Sequence, residues 1–331
     1  MQEKNRMQNL KTDLYTKFIT GSKAPLILLI LVILMAIATP IFPTKDNLLN
    51  IIRQVAYSAI LATGFTLVLG AGSIDLSLGS LVGLTGVVVA KMMLMGIPVP
   101  IAIIGGILFG MICGALNAFL IIAFDLPAFI VTLATSNIFK GAIYLLTKMV
   151  PVSGLPSSFV SIGQGYFLGI PIPIYIMLAM VLLMFVIINK TKFGRHALAM
   201  GGNPEATRVS GVNIKTTMFE VFLTMGAFAA TASIVLTSRA ASAQLAAGQG
   251  TEMDAIAAVV LGGTPMSGGK ANVFGTLVGC LIVGVVNNGL NLLKIDTNWQ
   301  VVVKGLMILF AIILDVLSSK AVNKRNLKMV G

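Results

Sequence analysis

Acidic residues are scarce in this chain: 11 Asp and Glu among 331 residues, against 23 Lys and Arg. It also has only one histidine, one tryptophan and two cysteines. These shortages exclude several chemistries. A single histidine, His196, with no Cys/His cluster leaves no ligand set for zinc or haem, so no metal site is expected. Cys113 and Cys280 lie in apolar runs and read as small packing residues, not as a disulfide framework. The phosphate-loop signature is missing: after Gly268-Gly269-Lys270 comes Ala271, where a hydroxyl is needed. The chain is expected to bind no cofactor, and any ATP that powers it is hydrolysed elsewhere. Neither Asp75 nor Asp254 has a carboxylate or base partner at helical spacing, so nothing suggests a hydrolytic pair or a membrane-embedded enzyme.

What is present is apolar. Hydrophobic residues make up 57% of the chain, charged residues only 10%, and the mean hydropathy is +0.97. Soluble domains carry about a quarter charged residues, and several stretches here approach the roughly 20 apolar residues that cross a bilayer. The fold class is an all-α polytopic membrane protein. Ten helical segments are expected, near 24–42, 53–70, 78–95, 99–124, 127–146, 171–188, 218–238, 254–261, 273–293 and 299–317. The eighth is too short to span alone and reads as a broken or re-entrant helix, tolerable only where protein or a water-filled cavity covers its backbone. Residues 1–23 are basic and have no apolar h-region, so they read as a cytoplasmic segment and not a cleavable signal. The membrane-embedded body is 24–317, and 318–331 form a basic tail. Ten crossings put 15 of the 23 Lys and Arg on one side, with both termini there. The net charge of +12 reflects this topology and the membrane surface, not nucleic acid.

The halves are divided by a polar break at 189–216, which carries Lys190, Lys192, Arg195, Arg208 and Lys215 against Glu205. Within it Asn203-Pro204-Glu205 reads as a helix start: an N-cap, proline at the first helical position, then an acid in the first turn. Ala206, Thr207, Arg208 and Ser210 continue one or two turns, and Gly211 stops them. This is either a docking handle or an ordinary basic loop. The halves also echo each other. Gly106, Gly110, Gly114 and Asn117 on the fourth segment resemble Gly275, Gly279, Gly284 and Asn287 on the ninth, which runs the opposite way. That is the pattern of an inverted repeat, or of generic small-residue helix packing. Asp75, flanked by Ser73 and Ser77, interrupts an apolar run, and Asp254 precedes the short segment. Ionisable groups near the membrane interior are candidates for a pathway or gate. Asp75 and Ser77 also suit a capped helix break. Asn117, Asn287 and Asn288 are candidates for the pathway or for helix-to-helix bonding.

Three motifs in order, GSIDLSLGS, GRHALAMGGNPEATRVSGV and DAIAAVVLGGTPMSGGKANVFGTLVGCLIVGVVNNGLNLL, resemble the ribose-type permease family of bacterial ABC importers. The resemblance spans roughly residues 50–316. Many relatives have Gly-Gly-Ile-Asp-Leu-Ser where this chain has Gly72-Ser73-Ile74-Asp75-Leu76-Ser77. The resemblance implies a multi-pass subunit of the bacterial inner membrane that imports a monosaccharide, ribose first, by alternating access. It implies three partners in addition to membrane lipid: a second permease copy, an extracytoplasmic sugar-binding protein, and a cytoplasmic ATPase that uses ATP and Mg. Asn203 to Gly211 would be the ATPase-contacting segment. A tight sugar site in the permease is not required, since the binding protein can select. An ion-coupled secondary transporter, with Asp75 and Asp254 as coupling carboxylates, is the other class the residues permit.

Overall fold

The computed structural model describes residues 24–296, 298–310 and 312–313. The expected cytoplasmic segment 1–23 and tail 318–331 therefore lie outside the described residues. The first half consists of α1 (Ala24–Ala38), α2 (Lys45–Gly70), α3 (Leu78–Leu94), α4 (Val99–Phe124) and α5 (Ala128–Thr147). A cap follows, made of α6 (Ser157–Gln164) and a two-residue hairpin, β1 (Tyr166–Phe167) with β2 (Ile170–Pro171). Then come α7 (Ile172–Lys190), α8 (Lys192–Gly202), α9 (Pro204–Val209), α10 (Ile214–Ala240), α11 (Thr251–Leu261), α12 (Val273–Leu292) and α13 (Asn298–Phe310).

Six of these, α2, α4, α5, α7, α10 and α12, are long and apolar enough to cross a membrane. The apolar helices α1, α3 and α13 are shorter. The short segment begins at Thr251 and has 11 residues, about 16 Å of helix. The non-helical stretch before it is covered by protein in part: Ala247 and Gly248 lie against Gly83 and Gly79 of α3, while Gln244, Ala246, Gln249 and Gly250 are exposed. The stretch bonds internally through turns such as Ala247 N–H to the Gln244 carbonyl, 3.1 Å.

Helix ends differ from the sequence reading where a cap decides them. α1 stops at Ala38, and α2 starts at Lys45 rather than near residue 53, because the Thr44 hydroxyl accepts from the Asn47 amide. The 189–216 break holds two helices where one was expected. Thr191 caps the additional one, α8, accepting from Gly194 N–H at 3.0 Å.

The bundle is organised around glycines. A Cβ on Gly226 of α10 would strike the Gly110 carbonyl of α4, and one on Gly114 the Phe222 carbonyl, so these helices touch backbone to backbone. Replacing Gly226 with leucine is expected to lower the thermal midpoint of the purified protein, since overpacking costs about 1–3 kcal/mol. An unchanged midpoint would mean that α4 and α10 part freely.

The helix pairings exchange between the halves. α4 packs on α10 and α3, while α12 packs on α2 and α11; α3 also meets α10 as α11 meets α2. Gly106 faces Val89 of α3, and Gly279 faces Ala258 of α11; Gly114 faces α10, and Gly284 faces Val55 of α2. Each glycine row thus touches its own short helix first and then the long helix of the other half.

At one end of the bundle, backbone segments meet almost without side chains. Gly269 N–H donates to the Gly70 carbonyl at 2.9 Å. Gly201 of α8 abuts Gly70 and Gly72, and Gly269 abuts Gly202. At the other end the cap is held down. The Arg53 guanidinium donates twice to the Gly163 carbonyl, at 3.2 and 3.0 Å, and lies 5.7 Å from the Tyr166 ring centroid. Gln164 Nε2 donates to the Arg239 carbonyl at 2.9 Å, and Val152 pairs with Ala243.

Candidate translocation cavity and coupling helix

Four helices open a cavity of about 510 Å3 between them. α2 lines it with Gln54, Tyr57 and Ser58, one face of the helix at i, i+3 and i+4. The last turn of α10 contributes Arg239, the first turn of α11 Asp254, and α12 Val283, Gly284 and Asn287. The volume falls in the range of small-molecule sites, about 300–1,000 Å3. Its polar groups are two amides, two hydroxyls, a guanidinium and a carboxylate, set in an apolar bundle. Tyr57 lies in the fields of both Asp254 and Arg239. Asp254 Oδ2 also accepts from Lys304 Nζ of α13 at 2.9 Å, a pair that is 14% and 35% exposed on its two sides. Asn287 Oδ1 is buried and has no hydrogen-bond partner among the described residues. A second hollow of about 490 Å3 lies farther toward the cap along α2, lined by Lys45, Asp46, Asn50, Arg53 and Tyr166.

The other sequence candidates lie elsewhere. Asp75 is fully buried; Oδ1 accepts from Ser77 N–H at 2.8 Å and from the Ser77 hydroxyl at 2.6 Å. Asn117 Nδ2 donates to that same hydroxyl at 2.9 Å. The three residues form one network that fixes the α2–α3 break against α4, apart from the cavity. Asn288 exchanges two amide bonds with Asn47, 3.1 and 2.9 Å, joining the start of α2 to the end of α12. Neighbouring asparagines therefore face different neighbours. Asn288→Ala is expected to cost about 1–2 kcal/mol of stability with little effect on transport. Asn287→Ala should do the reverse, and thermal midpoints measured beside uptake rates separate the two.

Sequence reading missed Gln54, Tyr57, Ser58 and Arg239. The α2 group shares one helical face, and only the fold brings it and Arg239 to Asp254 and Asn287, which lie about 200 and about 230 residues further along the chain from the α2 group.

The coupling candidate is α9. Asn203 Oδ1 accepts from Ala206 N–H at 2.9 Å, Pro204 holds the first helical position, and Gly211 has φ +86°. Glu205 and Arg208 form an exposed ion pair at 2.8 Å, worth only a few tenths of a kcal/mol at about 0.3–0.5. Thr207 is buried toward the bundle, Ser210 caps back onto the Ala206 carbonyl at 2.8 Å, and Val209 stands 81% exposed.

Residues 47–312 match the family described as branched-chain amino acid transport system / permease component. The chain belongs to this permease family. Among its relatives, the ribose import permease protein RbsC of Bacillus subtilis (strain 168) is 43% identical over 290 residues, 87% of this chain and 90% of that protein. The ribose import permease protein RbsC of Escherichia coli (strain K12) is 39% identical, covering 91% of this chain and 95% of its own length. The D-allose transport system permease protein AlsC of Escherichia coli (strain K12) is 37% identical over 88% of this chain and 90% of its own. No solved structure matches the permease.

Proposed function

We propose that this chain is the membrane-spanning permease of an ATP-driven importer that carries ribose or a closely related monosaccharide across a bacterial cytoplasmic membrane. The observation that carries the reading is the polar cavity, where Gln54, Tyr57, Ser58, Arg239, Asp254 and Asn287 converge inside an apolar bundle. Desolvating such groups is costly unless a ligand uses them, and sugar hydroxyls act as both donors and acceptors for this set. Asn287 Oδ1 would accept from one hydroxyl and Asp254 from another. The names of the relatives supply the choice of ribose over other polyols.

The chain crosses the membrane ten times in this reading, with both termini and the α8–α9 segment in the cytoplasm. The exchanged helix pairings support two inverted halves, whose rocking would open the cavity first toward the cap and then toward the basic end. α9 docks a cytoplasmic ATPase, which binds the ATP and Mg. A sugar-binding protein delivers cargo at the cap, and a second permease copy completes the pore.

Reconstitution with the partner ATPase and binding protein tests the proposal. Ribose uptake that requires ATP, and that survives an uncoupler, is expected. Uptake by the isolated chain, abolished by the uncoupler, would establish an ion-coupled carrier instead.

A further inference from the structure

From Met149 to Asn189 the chain carries no charged residue, a run of 41 positions. Only the last part of that run, α7, is long and apolar enough to span a membrane. The first part is the cap of α6 and the hairpin, which lies outside the long helices. A segment bathed in water would expose polar and charged groups. The loop before α6 and α6 itself do expose Ser153, Ser157, Ser158, Ser161 and Gln164, but the hairpin exposes Tyr166, Phe167 and Leu168, the last 84% exposed at its tip.

The tip is shaped against backbone preference. Leu168 has φ +50° and Gly169 φ +77°, so both central residues of the turn are left-handed. Asn, Asp or Gly favour the first of these positions, and a leucine there is held in an unfavourable conformation. Keeping leucine at that point keeps the tip apolar.

We infer that this hairpin is a membrane-interface anchor whose Phe167–Leu168 tip enters the lipid headgroup and upper acyl region on the cap side of the bilayer. Continuity with the lipid-facing surface identifies the occupant. β2 runs directly into α7, where Tyr175, Leu178, Leu182, Leu183 and Val186 form one exposed apolar stripe. The Tyr175 hydroxyl donates to the Phe167 carbonyl at 3.0 Å, and the two rings meet edge to face at 5.8 Å. The hairpin is therefore fastened to the outer end of the stripe. Tyr166, Phe167 and Tyr175 stand where aromatic side chains concentrate at membrane interfaces. Lys45, Asp46 and Arg53 line the hollow beside Tyr166 and Gly169, and long basic side chains at that level reach the headgroup layer while their stems stay against apolar surface.

The test needs no transport and is independent of the importer reading. Trp299 is the sole tryptophan, so Trp299→Phe gives a dark background for Leu168→Trp in phosphatidylcholine vesicles. Emission at short wavelength is expected, quenched by about half with acyl-brominated lipid and hardly at all by iodide, as for side chains about 5–10 Å into the interface. Ser153→Trp, elsewhere on the cap, is the water-facing comparison. Phe167→Trp repeats the measurement if the first variant does not purify folded. Iodide quenching equal to that of Ser153→Trp, with no effect of bromolipid, would overturn the anchor. So would shielding from iodide that appears only when a sugar-binding protein is added, which would make the tip a protein contact.

Discussion

Vesicles carrying Asp254→Ala are expected to take up ribose roughly 10- to 100-fold more slowly than the parent, because a hydrogen bond to a charged group contributes about 1.5–3 kcal/mol. Asp254 has two duties, and the effect must be divided between them. It holds Lys304 at 2.9 Å, and it lines the cavity. Removing the carboxylate leaves the ammonium unpaired at membrane depth, which destabilises the protein by about 1–3 kcal/mol for a pair this partly exposed. The double variant Asp254→Asn with Lys304→Met removes both charges together and should restore the thermal midpoint. Its uptake should stay low if the carboxylate serves the sugar. If uptake recovers along with stability, Asp254 serves only the ion pair and has no role toward cargo.

Val209→Asp is the second large effect. Val209 stands out from α9 with its neighbours Glu205 and Arg208 bonded to each other. An exposed apolar side chain on a short, doubly capped helix suits a contact at the centre of an interface, where truncation or charge costs about 2 kcal/mol or more, roughly 30-fold in Kd. The partner ATPase should cease to co-purify, while the thermal midpoint of the permease is unchanged. The swapped pair Glu205→Lys with Arg208→Glu keeps an ion pair on the helix but inverts the charges it presents. Loss of the ATPase in that variant would assign recognition to charge, and retention would assign it to Val209. If Val209→Asp holds the ATPase as firmly as the parent, docking lies elsewhere on the basic end.

The start of α9 was legible because its signals are local: Asn203, Pro204 and Gly211 act within one turn of their own positions. The all-α architecture was legible from hydropathy for a similar reason. α8 was not, because it ends in Gly201-Gly202, which reads as a breaker. Gly201 is held there by Gly70 and Gly72, which leave no space for a Cβ, and Gly269 lies against Gly202, a contact between three distant stretches. The cavity was half legible. Asp254 and Asn287 announce themselves as polar groups in apolar runs. Tyr57 and Gln54 sit on a helix that begins with ordinary polar residues, and Arg239 resembles any charge near a helix end. Asp75 and Asn117 look the same as the cavity residues in sequence, and only their bonds to Ser77 set them in a different place.

The glycine seam at the basic end has a mechanical consequence. Side chains between moving parts behave as springs, since rotamers can yield before backbones do. Where Gly70, Gly72, Gly201, Gly202, Gly268 and Gly269 touch, that slack is missing. A push on α9 passes through α8 into the ends of both broken helices with no lost travel. A rigid junction is thus built from the smallest residues.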